Sequence, residues 1–169
     1  MTKTLFTIGY EKAELDDFIS TLKACDIEQV LDVRELPQSR KRGFSKNILA
    51  AALEAEGIGY LHFKQLGDPK HGREAARQGK YQQFEEIFQA HMDLEASKEA
   101  LKLLAKCAAE KTSTLLCYER DHRFCHRKIL ADKLDVHYSF SIAHRGVKHG
   151  LAGDENEQRD AARSPGTQV

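Results

Sequence analysis

Thr112-Ser113-Thr114-Leu115-Leu116-Cys117-Tyr118-Glu119-Arg120-Asp121-His122-Arg123-Phe124-Cys125-His126-Arg127 is the stretch from which the fold can be read. Thr112 to Leu116 is β-branched and apolar, as a buried strand requires. A helical pattern begins near Phe124 and runs to Leu134. Between them lies a loop crowded with a thiol, carboxylates, arginines and a histidine. Strand, reactive loop and helix in that order form the repeating unit of an α/β domain. Ligands of such domains sit in the crevice outside the carboxyl ends of the strands.

The same alternation extends in both directions. Leu5 to Ile8 reads as a strand ending at Gly9, and Leu15, Phe18, Ile19 and Leu22 recur at helical spacing. Gln29 to Val33 is a second strand. Ser45 is placed to cap a helix carrying Ile48, Leu49, Ala52 and Leu53, which Gly57 ends. Tyr60 to Phe63 is a third strand. Residues 64–79, with Gly67, Pro69, Gly72 and Gly79, read as a loop. Helical spacing returns at Tyr81, Phe84, Ile87 and Phe88, then at Leu94, Leu101 and Leu104. Val136 to Ile142 is the last strand, followed by His144 and Arg145. The expected fold class is therefore α/β: a single three-layer domain over residues 1–150, with a mostly parallel sheet of about five strands flanked by helices. Residues 151–169 are polar and lack an apolar period, and are expected to be a disordered tail.

Composition narrows the function classes. The chain has 169 residues, 41% hydrophobic and 31% charged, which suits one globular domain and excludes collagenous and low-complexity classes. Lys+Arg is 26 and Asp+Glu is 26, so the net charge is zero. That excludes a histone-like polyanion binder and leaves room for a local basic patch. No apolar run approaches the roughly 20 residues of a membrane span, and the N-terminus shows no secretory h-region. A cytoplasmic location without membrane association is expected. The four cysteines, Cys25, Cys107, Cys117 and Cys125, are then reduced thiols. No pattern in the chain fixes an oligomeric state.

Residues able to do chemistry fall at the expected strand ends. Tyr10 follows the first strand. Asp32 ends the second, and the segment from Arg34 to Arg42 carries Arg34, Arg40, Lys41 and Arg42 against one carboxylate, with Ser39 among them. The planar fork of arginine suits phosphate or carboxylate, so this segment reads as an anion cradle. Asp32 is a candidate catalytic carboxylate or, alternatively, a brace for its loop through backbone amides. After the fourth strand, Cys117 and Cys125 flank Tyr118 and Glu119, with His126 and Arg127 beyond. Cys125 falls near a helix N-terminus, which together with nearby Arg or His lowers a thiol pKa. Either thiol is a candidate nucleophile, with Glu119 or His126 moving protons. Alternatively, Cys117, Cys125 and His126 bind zinc, with His122 or His144 completing the set. Cys-x7-Cys-His is not a common zinc pattern, so no cofactor is expected on spacing alone. Cys25 and Cys107, on helical faces, read as small packing residues.

Two thiol-enzyme loops share part of this pattern. Cys117 and Arg123 have the Cys-x5-Arg spacing of cysteine phosphatases, and Val30 to Glu35 is similar to a rhodanese strand. Against both, the loop after Cys117 lacks glycine, and Glu119 and Asp121 would repel an anion there.

Taken together, three motifs resemble one family. Thr7-Ile8-Gly9-Tyr10-Glu11, Asp32-Val33-Arg34 with Pro37, Ser39 and Arg40, and Leu115-Leu116-Cys117-Tyr118-Glu119 followed by Cys125-His126-Arg127 are similar to the domain-of-unknown-function 488 family. Gly57-Ile58-Gly59-Tyr60 with His62, Leu66 and Gly67 also fits. The resemblance spans about residues 5 to 142 and implies a single α/β domain. It brings no established substrate, cofactor or reaction.

The expected function is an enzyme or sensor acting on an anionic, nucleotide- or nucleic-acid-related ligand at the C-terminal edge of the sheet. Catalytic candidates are Glu119, Cys117, Cys125 and Asp32. Ligand-binding candidates are Tyr10, Arg34, Ser39, Arg40, Tyr118, His126 and Arg127, with the arginines on phosphate and the tyrosines stacking on a base. The alternatives are a non-catalytic nucleic-acid-binding module and a rhodanese-like or phosphatase-like enzyme using Cys117.

Overall fold

Each central strand sends its apolar side chains to both faces of the sheet, as its sequence dictates. In β1 (Thr4–Gly9), Leu5 packs to one face of the sheet and Ile8 to the other. In β2 (Gln29–Asp32), Leu31 and Val30 divide in the same way, as do Leu115 and Leu116 in β4 (Ser113–Cys117). Successive side chains point to opposite faces, so a sheet covered on both sides needs unbroken apolar runs. The remaining strands are β3 (Gly59–His62) and β5 (Ser141–Gly146). This computed structural model describes residues 2–163. Its five strands are all parallel, in the order β3-β2-β4-β1-β5.

The helices divide between the two faces. On one face, α1 (Leu15–Ala24) and α2 (Lys46–Ala55) supply Phe18, Leu22, Leu49 and Leu53 to a core with Ile8, Val30 and Leu116. On the other face lie α3 (Lys70–Arg77), α4 (Tyr81–Met92), α5 (Glu95–Glu110) and α6 (His126–Tyr138). They bring Phe84, Phe88, Leu104, Leu130 and Leu134 against Leu5, Leu31 and Leu115. Right-handed crossovers force this division, because the chain moves one way across the sheet until β3 and the other way afterwards. β4 therefore sits between β2 and β1, while the helix that follows it lies on the opposite face from theirs. A crevice opens at the C-terminal end of such a strand. Cys117 stands at that end, flanked by Asp32 and Gly9.

Three expectations change. Residues 64–79 are not a plain loop: a 3-10 turn (Lys64–Leu66) leads through Pro69 into α3. The last strand begins at Ser141 rather than Val136, so His144 and Arg145 lie within β5 instead of after it. Val136 is 75% exposed on the outer face of α6, whose inner face is fixed in the core by Leu130, Ala131 and Leu134. The segment from Leu151 is not disordered where it is described: Leu151–Arg163 forms α7, packed on α1. The Asp17 carboxylate accepts the backbone N–H groups of Gly150 and Ala152, at 2.9 and 3.0 Å, and Ser20 donates to Glu155 at 2.9 Å. These tertiary bonds stabilise a helix too polar to fold on its own. The rest of the expected tail, residues 164–169, lies outside the described residues. Among the described residues, no helix is long and apolar enough to cross a membrane.

Candidate functional site

At the end of β2, Asp32 and Arg34 form a fully buried pair. Arg34 Nη2 donates to Asp32 Oδ2 at 2.7 Å and Nε to Oδ1 at 2.9 Å. Asp32 also accepts the Arg34 backbone N–H at 3.1 Å and the Tyr60 hydroxyl proton. Arg34 Nη1 continues to the Phe44 carbonyl at 2.7 Å and the Tyr10 hydroxyl at 3.2 Å. Tyr10 is itself buried, stacked on Phe44 with ring centroids 4.5 Å apart. The result is a lock on residues 33–44, with Asp32 bracing its own loop. Ser39 sits in a turn, accepting the Lys41 N–H at 3.0 Å, and Arg40 is exposed.

At the end of β4 a second arginine does similar work. Arg127 is fully buried. Its Nη1 donates to the Glu119 carbonyl, its Nη2 to the Arg120 carbonyl at 3.1 Å, and its Nε to Thr7 Oγ1 at 3.3 Å. These bonds fold the loop after Cys117 back over β1. Gly9 permits the approach, since a Cβ there would stand 1.8 Å from the Glu119 carbonyl oxygen. Cys117 and Cys125, with seven residues between them, are thereby brought together.

The cluster they form is tight and buried. Cys117 Sγ donates to Glu119 Oε2 at 3.3 Å and lies 3.5 Å from His126 Nδ1. Cys125 Sγ lies 3.7 Å from the same Nδ1. Cys125 also caps α6, its sulfur accepting the Arg127 backbone N–H at 3.5 Å. His126 Nε2 meets the Val33 carbonyl at 2.6 Å, and Phe88 packs edge-on to the ring. The Nε2 nitrogen must therefore carry a proton, leaving Nδ1 to face the sulfurs.

Burial sets the electrostatics here. It pushes the Cys117 thiol up, as does the neighbouring Cys125. Burial opposes ionisation of Cys125 as well, but the Cys117 thiol, His126 and Arg127 outweigh it and hold Cys125 well below the usual thiol value. Burial would depress His126, yet the Cys125 sulfur raises it to about 9. Burial, then Cys125, pushes Glu119 up to about 7.

A cleft of about 400 Å³ opens beside this cluster. Glu119, Cys125 and His126 border it with Asp68, and Arg73 and Arg77 come from α3. Tyr81, Phe124 and Tyr118 add aromatic surface, the first two with centroids 4.9 Å apart. Burial raises the Asp68 carboxyl to about 6, and among the described residues its Oδ1 has no hydrogen-bond partner. That oxygen occupies the space a Cβ would need at Gly72. Arg73 is held by the Asp68 carbonyl at 2.6 Å and by Glu35 at 3.2 Å.

Of the residues nominated from sequence, Cys117, Cys125, Glu119 and His126 come together, and Tyr118 stands at the cleft with half its surface exposed. Asp32, Arg34 and Tyr10 form the separate lock, and Arg127 is the clamp beneath the loop. His122 and His144 stack face to face at 3.6 Å, away from the thiols. Arg123 is exposed and paired with Asp121 at 2.7 Å, whereas Cys117 is buried. The cleft residues Asp68, Arg73 and Arg77 were not among the sequence candidates. Leu66-Gly67-Asp68-Pro69, a carboxylate between a glycine and a proline in the connection that follows the third strand, is the signal that could have found one of them.

The family model described as Domain of unknown function DUF488 matches residues 14–134. The chain belongs to this family. No curated protein and no solved structure matches it. The matched segment of the DUF488 domain contains the Asp32–Arg34 lock and the whole Cys117–Cys125–His126 cluster, with Glu119 and Asp68.

Proposed function

We propose that this DUF488 protein is an enzyme acting on an anionic, nucleotide- or nucleic-acid-related ligand in the cleft beside Glu119. One juxtaposition carries the reading. A carboxyl side chain, the Cys125–His126 pair and two arginines border the same cleft, whose other wall is aromatic. Arg77 is exposed and suits a phosphate, with Arg73 already oriented beside it. Tyr81, Phe124 and Tyr118 offer ring faces for a base. Glu119 moves the proton, since a general acid or base must lie within hydrogen-bond reach of the reacting atom. Arg34 and Arg127 position the two loops rather than the ligand.

Calorimetric titration with the common ribonucleoside monophosphates and the matching nucleosides tests this. The expected result is that a monophosphate binds at least about tenfold more tightly than its nucleoside, about 1.4 kcal/mol. Arg77→Ala erases that difference, while Glu119→Gln retains binding and loses turnover. Equal affinity for nucleoside and nucleotide overturns the reading. So does polynucleotide binding that falls steeply with salt and ignores both substitutions, which is the behaviour of a non-catalytic module.

A further inference from the structure

We propose that Cys117, Cys125 and His126 bind one Zn²⁺ ion, with its fourth position turned to the cleft. Among the described residues they are the group whose ligand atoms all lie within 4.8 Å of one another. The finer distances fit a metal. Tetrahedral zinc, with Zn–S about 2.3 Å and Zn–N about 2.0 Å, separates a thiolate sulfur from an imidazole nitrogen by about 3.5 Å. The two sulfurs lie 3.5 and 3.7 Å from His126 Nδ1. Two hydrogen-bonded thiols need not be equidistant from one ring nitrogen; two ligands of one ion must be nearly so.

The surroundings point the same way. Metal-bound histidine characteristically donates its other ring N–H to an acceptor that fixes tautomer and orientation. Here Nε2 meets the Val33 carbonyl at 2.6 Å, and Nδ1 is left toward the sulfurs. The Arg127 backbone N–H points at the Cys125 sulfur, a bond that stabilises a thiolate ligand. Two thiolates and a divalent cation sum to zero charge, which a fully buried site demands. Thiolate and imidazole donors in tetrahedral array select zinc over magnesium, calcium or manganese. The clamp by Arg127 holds the loop between the two cysteines, which keeps Cys125 and His126 beside Cys117.

The fourth position separates a structural from a catalytic zinc site. Glu119 stands beside the ligands, 3.3 Å from Cys117, and shares the cleft with Cys125 and His126. The ion would therefore carry a water on the side where the ligand of the proposed function binds. The metal site itself does not depend on that function.

Protein purified without chelator or metal-affinity resin is analysed for metal, stripped, and titrated with Co²⁺. The expected result is about one zinc per chain, and a cobalt spectrum showing tetrahedral ligand-field bands with thiolate charge transfer. Cys117→Ser, Cys125→Ser and His126→Gln weaken cobalt binding at least about tenfold, whereas Cys25→Ser and Cys107→Ser bind as the parent does. Peptide-resolved alkylation of the unmutated protein avoids any folding defect: zinc protects Cys117 and Cys125 alone, and chelation releases both. Substoichiometric zinc with no thiolate–cobalt spectrum overturns the proposal. So does alkylation of Cys117 and Cys125 that zinc leaves unchanged, which would favour a free thiol nucleophile. Nucleotide binding is measured on the same samples. Zinc without nucleotide binding breaks the proposed function and leaves the metal site standing, and nucleotide binding by protein that holds no metal does the reverse.

Discussion

At the end of β2, both oxygens of Asp32 have donors, and Arg34 reaches from that carboxylate to a carbonyl and a hydroxyl. At the cleft beyond β4, Asp68 Oδ1 is buried without a hydrogen-bond partner among the described residues, and Glu119 accepts the weak S–H donor of Cys117. Both clusters sit on the same sheet edge, each is built around a carboxylate, and the carboxylates of both lie inside the DUF488 match. The difference is satisfaction. A buried network whose polar atoms are all paired rigidifies the chain, and disturbing it costs stability. Incomplete pairing leaves groups whose partner is a ligand, a water or an ion. Family motifs thus mix residues that hold the edge with residues that are free to act.

The largest expected effect contrasts the same substitution in the two places. Asp32→Asn removes the counter-charge of a buried arginine and should cost about 3–5 kcal/mol in urea unfolding. Asp68→Asn removes a carboxylate whose Oδ1 accepts no hydrogen bond among the described residues, and should change stability by less than about 1 kcal/mol. If the two variants unfold alike, pairing does not distinguish the clusters.

Gly9→Ala should come next. Its Cβ would meet the Glu119 carbonyl at 1.8 Å, so the loop after Cys117 must move. Overpacking of this kind costs about 1–3 kcal/mol. Because that loop carries Glu119 and leads into Cys125, nucleotide affinity in the cleft should fall as well. Gly153→Ala supplies the counterpart. It lies in α7 with nothing among the described residues within 4 Å of the added Cβ, and should stabilise by about 0.5–1 kcal/mol. Equal losses at the two glycines would deny that the loop is packed against β1.

Much of this edge was legible in the sequence. Short apolar runs locate the strands and helical apolar spacing the helices, and parallel topology then puts Gly9, Asp32 and Cys117 at one edge. That is why Cys117, Glu119, Cys125 and His126 could be named together. The far wall of the cleft was not legible, for a physical reason. α3 buries only Gly72 and Ala75, so it has almost no apolar period, and its glycine exists to accommodate the Asp68 side chain. Read as a loop, the segment hides Asp68, Arg73 and Arg77. Arg34 and Arg127 posed the opposite difficulty: residue type suggests phosphate, and only the fold shows that each guanidinium is buried against backbone carbonyls. α7 escaped notice because its anchors, Asp17 and Ser20, are more than a hundred residues away in the chain.

Asp17 gives the smallest effect and sharpens the contrast between paired and unpaired carboxylates. Like Asp32 it has donors for both oxygens, but it lies at the periphery and its partners are the N–H groups at the start of α7. The Gly150 and Ala152 N–H groups hold its carboxyl below the usual value of 3.8, against a smaller opposing effect of burial. A carboxyl lowered on folding stabilises fully above its unfolded value and loses that contribution as pH falls through its folded value. Docking of α7 should therefore be constant at neutral pH and weaken only below about 3.8. Asp17→Asn keeps one acceptor oxygen and loses the charge. It should cost about 1 kcal/mol, the magnitude of a lost helix cap, and should abolish the acid step. Hydrogen exchange of the α7 amides reads both effects while leaving the sheet amides as an internal reference. If those amides keep their parent protection in Asp17→Asn at neutral pH, a fully paired carboxylate is not what holds α7. The rule drawn from Asp32 would then apply only where the pair is buried in the core.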